Sequence, residues 1–272
     1  MWLYRVVNGL WAALPVLLAV LAIRTVSIRE LGRFTNRYGL DLTPETVAAV
    51  TRSIRRGRTG RLACAALGLS LFPVLYELGV TIPNQSAFYG FVGYLLGAFV
   101  TALVPGLPRA DTRQASLVPR RATDYLPRMA LITLALAIGV SAMAVLIYEF
   151  EPRRTFADFS GTPDGLALTA VAVIATFIAV RVVVARPQPL TTAGLVAIDD
   201  AVRTQAVHNL AGAGIAVALL GTSACLFEMG GYASPEWLHI AGVVAAFGAL
   251  AGTMAAWGFR GSPWRVQRTM LA

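Results

Sequence analysis

Three apolar runs each end in an aromatic residue followed by a glutamate: Tyr76-Glu77, Tyr148-Glu149 and Phe227-Glu228. A carboxylate at the edge of hydrocarbon is costly unless paired or wet, so a ring of three suits proton or cation handling at an outer vestibule. The same pattern also describes an aromatic-belt residue followed by a carboxylate at the water boundary. A second polar group, Asp199, Asp200 and Arg203, sits in "LTTAGLVAIDDAVRTQAVHNLAG" (190–212), between two long apolar runs. Asp199 and Arg203 are four apart with the acid first, a favourable pair on a helix surface. The chain has no Walker-type loop, no GxSxG and no HExxH. Its only histidines are His208 and His239, and its only cysteines Cys64 and Cys225. No nucleophile, base and orienting group assemble from these residues, so the expectation is a protein that is not an enzyme and uses no metal or cofactor.

The elements that must position these residues are membrane helices. The chain is 57% hydrophobic and 14% charged, against about 45–50% and 25% in ordinary soluble domains. Runs of about 20 mostly apolar residues, enough to cross a core of roughly 30 Å, occur at 3–23, 62–78, 88–104, 129–148, 166–184, 210–227 and 240–257. An all-α transmembrane fold of seven helices follows. No small-residue cleavage pattern follows the first run, so that helix is expected to be retained.

The net charge of +9 follows topology. With the first helix running inward, segments 24–61, 105–128, 181–209 and 258–272 hold 20 of the 23 basic residues and seven of the 14 acids. The inner face then carries +13 and the outer face −4. The positive-inside rule sets the N-terminus out and the C-terminus in. The expected partners of this charge are the lipid bilayer and its anionic inner-leaflet lipids, with no nucleic acid. Every basic residue is arginine, which excludes a retinal protein, since its Schiff base needs a lysine.

Residues 42–63, "LTPETVAAVTRSIRRGRTGRLA", align with 190–211, "LTTAGLVAIDDAVRTQAVHNLA", at a constant offset of 148. Val47, Val50 and Ile54 then match Leu195, Ile198 and Val202 and draw one apolar stripe down a helix. Thr43-Pro44 is a sound helix start. "LYELG" (75–79) and "LFEMG" (226–230) close the following runs. Gly93 and Gly97 share GxxxG spacing with Gly248 and Gly252, which marks packing seams. Two parallel three-helix repeats joined by one helix (3+1+3) account for these matches. The first repeat spans 1–110, with an amphipathic cytoplasmic helix at 42–61. The linking helix lies in 111–160. The second repeat spans 161–272, with an amphipathic helix at 190–208. Such helices lie at the headgroup boundary or dock a cytoplasmic partner.

Through "RRATDYLPR" before the fourth span and "LTTAGLVAIDDAVR" before the sixth, the chain resembles uncharacterised integral membrane proteins of actinobacteria. That resemblance implies a multi-pass protein of the bacterial plasma membrane and no particular activity. In outline the 3+1+3 plan is also similar to the SWEET sugar carriers, though no prolines are arranged as that family's hinge prolines are.

Three functions are weighed. The first is a membrane subunit or accessory component of a transport system, engaging a cytoplasmic ATPase or other transport subunit through Arg52, Arg55, Arg56, Asp199, Asp200 and Arg203. The second is a self-contained small-molecule transporter whose outer vestibule is formed by Glu77, Glu149 and Glu228. The third, a membrane-embedded enzyme, lacks a catalytic motif.

Overall fold

The computed structural model describes residues 2–41, 43–77, 86–103, 122–126, 128–150, 161–186, 193–232 and 236–257. These residues form helices and their caps, with no strand among them. The helices are α1 (Trp2–Ile23), α2 (Ile28–Tyr38), α3 (Pro44–Glu77), α4 (Ser86–Leu103), the single turn α5 (Ala122–Tyr125), α6 (Arg128–Phe150), α7 (Gly161–Ala185), α8 (Ala193–Tyr232) and α9 (Glu236–Trp257).

Among the described residues four segments are long and apolar enough to cross a membrane: Arg128–Phe150, Asp164–Ala185, Val196–Gly231 and Glu236–Ala256. Shorter apolar stretches, Ala13–Ile23 and Val92–Ala102, lie in α1 and α4. Large side chains such as Leu136, Met143, Ile174 and Phe247 are exposed along these helices, as lipid-facing residues are. The chain is a polytopic membrane protein.

Two compact units divide the described residues. Unit 1 holds those of 2–125 and Ala179–Leu210, and unit 2 those of Leu126–Ile178 and 211–257. The repeat boundaries at 110–111 and 160 lie outside the described residues.

The expectation for the two amphipathic segments needs correction. Among the described residues of these segments, 44–61 and 193–208 are not separate helices: each is the N-terminal part of a helix that continues unbroken into apolar sequence, α3 with 34 residues and α8 with 40. No proline interrupts 45–72 or 193–232, so nothing ends the hydrogen-bond ladder where polarity changes. At 1.5 Å per residue these helices are about 51 and 60 Å long, well beyond a hydrocarbon core of roughly 30 Å. Each is longer than a single crossing requires.

In unit 1, α2 is built from local signals. Ser27 caps it, its hydroxyl accepting from the Glu30 amide at 3.2 Å while the Glu30 carboxylate accepts from the Ser27 amide at 3.0 Å. Gly39 ends it at φ 62°, a left-handed conformation that suits glycine. Its buried face, Phe34 and Tyr38, shares a core with Val50 of α3 and Ile198 and Ala201 of α8. α3 begins at Pro44, with the Thr43 carbonyl accepting from the Val47 amide.

The α3–α4 seam is made of glycines, as the spacing of Gly93 and Gly97 predicts. A side chain at Gly93 would strike the Cys64 carbonyl, and one at Gly97 the backbone of Gly60 and Arg61. Only bare backbones approach this closely.

In unit 2, α8 is the enclosed helix: 83% of its most apolar stretch is buried, against 28%, 44% and 22% for α6, α7 and α9. Cys225, Leu226 and Met229 of α8 pack with Ala144, Leu238 and Ala246, and Phe227 meets Phe247 edge-on at 5.2 Å. Gly248 and Gly252 of α9 do not form the packing seam that their spacing predicts. A side chain at Gly248 would meet nothing within 4 Å, and one at Gly252 would meet only the Leu219 Cδ1 methyl, at 3.1 Å. That methyl is the movable end of a side chain, so no backbone contact at Gly252 demands a glycine. The close approach of α8 and α9 falls instead at Gly230 and Gly242, where added side chains would strike backbone atoms of the facing helix.

Candidate functional site: an arginine cavity in unit 1

The last carbonyls of a helix have no partner within it, and those of α7 are met by an arginine from α8. Arg203 donates through Nη1 to the carbonyls of Val183 (3.2 Å), Val184 (2.9 Å) and Arg186 (2.8 Å), and through Nη2 to Asp199 at 2.6 Å. The i,i+4 pair forms, but its place differs from the surface expected: the side chains are only 2% and 8% exposed. Both residues are buried on the side of α8 that meets the end of α7, while Ile198 and Ala201 pack with α2 and α3 on another side of the same helix.

Beside this pair lies a cavity of about 60 Å³ whose walls include Ser53, Arg56 and Arg61 of α3, Thr101 of α4, Arg186 after α7, and Asn209 of α8. Arg61 stacks over the Tyr94 ring, 5.6 Å from its centroid. Arg186 is half-buried, and its Nη2 meets no acceptor among the described residues. Burial lowers its pKa, the charges of Arg203 and Arg56 push the same way, and Asp199 opposes them. The arrangement is a polar, positively charged recess, and one donor on its wall meets no acceptor among the described residues.

The other residues singled out from sequence fall in several places. Arg52 and Arg55 are exposed on α3; Arg56 is exposed as well and reaches the cavity wall. Asp200 is half-buried, its carbonyl accepting from the Thr204 hydroxyl at 2.7 Å. Glu149, at the end of α6, is exposed, and Glu228 in α8 is half-buried. The side chain of Glu77 lies outside the described residues, as do residues 190–192 and 258–272. Cys64 and Cys225 are not joined in a disulfide. Among the described residues no three of His, Cys, Asp and Glu gather as metal ligands would.

Sequence reasoning missed three features. One is α2, although Ser27-x-x-Glu30 is a capping box in plain view. Another is His208, whose Nε2 donates to the Tyr125 carbonyl at 3.0 Å and so ties the turn α5 to α8. The third is a cluster of buried hydroxyls in unit 2. Ser141 donates to Thr222 at 2.9 Å and lies 3.3 Å from Thr169, and both threonines reach the Ala218 carbonyl. Hydroxyls satisfied in this way join apolar helices, and their recurrence inside otherwise apolar runs was the available signal. No family model, curated protein or solved structure matches this chain.

Proposed function

We propose that this polytopic membrane protein is a non-catalytic membrane subunit of a transport system, receiving a cytoplasmic component on the polar halves of α3 and α8. The observation that carries this reading is length. Helices of 34 and 40 residues outrun the bilayer by some 20 Å or more, and their projecting halves bear the arginines. Positive-inside orientation sets those halves in the cytoplasm of a bacterial cell. Val50 of α3 and Ile198 of α8 share one buried cluster with α2, which would brace a surface for docking, and exposed Arg52 and Arg55 suit an acidic face on the partner. Val50 and Ile198, equivalent at the offset of 148, share one buried cluster, which is in keeping with the internal repeat, because copies related by a twofold meet at matching positions.

The experiment is photo-crosslinking in intact cells from positions 52 and 55. The expected product is an adduct with a soluble cytoplasmic ATPase or another transport subunit. Adducts with lipid alone, or substrate uptake by the purified chain in vesicles without any partner, would overturn the subunit reading, the latter in favour of a self-contained carrier. The orientation also requires a reporter fused after residue 40 to read as cytoplasmic.

A further inference from the structure

We propose that the arginine cavity of unit 1 binds a single phosphate group, carried either by a phospholipid headgroup or by a soluble phosphate compound. The proposal shares one end of the molecule with the docking reading but needs no protein partner, so the two fail separately. Charge is the first reason. Arg56, Arg61, Arg186 and Arg203 line the cavity with Asp199 as the one carboxylate, a formal local charge of +3. Arg203 is already committed to Asp199 and three carbonyls, and Arg61 to the Tyr94 face. Arg186 is the exception, because its buried Nη2 has no acceptor among the described residues while two further guanidinium groups stand near it. A half-buried guanidinium with a buried, unmet donor and an excess of like charge beside it is a costly arrangement. An anion with several oxygens relieves both defects at once.

Chemistry and size narrow the anion. Guanidinium forks match the oxygen spacing of phosphate and bind it bidentately. A water needs roughly 10–15 Å³ of such space, so a cavity of about 60 Å³ takes a group the size of several waters. A phosphate group meets that size, whereas a nucleotide or a sugar exceeds it. Capping of α7 does not explain Arg186, since Arg203 alone covers the carbonyls of Val183 and Val184. The cavity also lies where α4 and α7 end, through Ala102 and Val183 in its wall, the depth at which headgroup phosphates are found.

The test uses the full chain, purified and delipidated in detergent without phosphate, with thermal unfolding followed by tryptophan fluorescence. Phosphatidylglycerol in mixed micelles or inorganic phosphate is expected to raise the midpoint saturably. Chloride at equal ionic strength and a galactolipid without phosphorus are expected not to. Arg186→Gln should weaken the response about tenfold or more, the size of one lost charged hydrogen bond, while Arg33→Gln, exposed on α2, leaves it unchanged. A response to phosphatidylglycerol alone assigns the headgroup; a response to inorganic phosphate as well assigns a soluble compound. No saturable rise with either, or an equal rise in Arg186→Gln, overturns the proposal. Should that variant not fold, native mass spectrometry of the parent protein before delipidation decides: one retained phosphorus-bearing adduct per chain supports the site, and none refutes it.

Discussion

Arg58 on α3 and Arg203 on α8 both reach back to the end of an earlier helix. Arg58 donates to the Arg24 carbonyl beyond α1, and its neighbour Thr59 donates to the Ala22 carbonyl at 2.7 Å. Arg203 serves the end of α7. Each arginine is paired with a carboxylate, Arg58 with Glu30 at 3.3 Å and Arg203 with Asp199 at 2.6 Å. Burial is where they part: the first pair is 15% and 39% exposed, the second 2% and 8%. Water screens the first, so little stability rests on its charges. The second has left water altogether, and each partner has become a condition for the other. In the proposed repeat Arg203 corresponds to Arg55, not Arg58, so the two copies perform one task from positions three residues apart, on the same helix face.

The largest expected effect tests that dependence. Asp199→Asn removes the carboxylate that neutralises Arg203 and partly offsets Arg186. Breaking a buried pair from one side costs about 3–5 kcal/mol, and the loss should persist in high salt because no solvent lies between the charges. Thermal or denaturant unfolding in detergent reads it. Replacing both partners, Asp199→Leu with Arg203→Met, should not restore stability as it often does for isolated buried pairs, since the carbonyls of Val183 and Val184 would lose their donor. Full recovery in that double variant would mean that the capping contacts contribute nothing.

Burial of this pair was not legible in the sequence, although the pair itself was. Spacing of four residues fixes that Asp199 and Arg203 share a helix face, but its burial depends on the end of α7 lying against that face, which no spacing within α8 announces. The spans were legible because about 20 apolar residues have few other uses. Continuity of α3 and α8 was legible in principle, from the missing prolines, but the change of polarity near residues 62 and 210 drew a boundary that the backbone does not have. GxxxG spacing was a true signal at Gly93 and Gly97 and a false one at Gly248 and Gly252, because spacing shows only that two glycines share a face, not that a helix covers it. The arginine cavity draws on α3, α4, α8 and the residue after α7, and no spacing along one chain segment announces such a meeting.

The glycine pairs sharpen the comparison at intermediate size. Gly93→Ala puts a methyl group into the Cys64 carbonyl, so α3 and α4 must separate, at a cost of about 1–3 kcal/mol. Gly248→Ala, at the matching place in the GxxxG alignment, meets nothing within 4 Å. It should be neutral or stabilising by up to about 1 kcal/mol, because alanine is the better helix former. Unfolding in detergent compares the two. Equal losses would mean that α9 is packed at Gly248 as α4 is at Gly93.

The smallest expected effect concerns Glu30. Glu30→Gln keeps an oxygen able to accept from the Ser27 amide, so the capping box of α2 survives. What it removes is the charge facing Arg58. Arg58 keeps its contact with the Arg24 carbonyl and remains partly solvated, so no buried cation is stranded. The cost should be about 0.2–1 kcal/mol at low ionic strength, shrinking toward zero as salt rises, since the Debye length falls from about 10 Å at 0.1 M to 3 Å at 1 M. A salt-sensitive loss in Glu30→Gln beside a salt-insensitive loss in Asp199→Asn is therefore the signature of one structural task performed at two depths. A Glu30→Gln loss as large and as salt-independent as that of Asp199→Asn would show that the α2–α3 contact is sealed from water in the folded protein, and the distinction between the two arginines would fall.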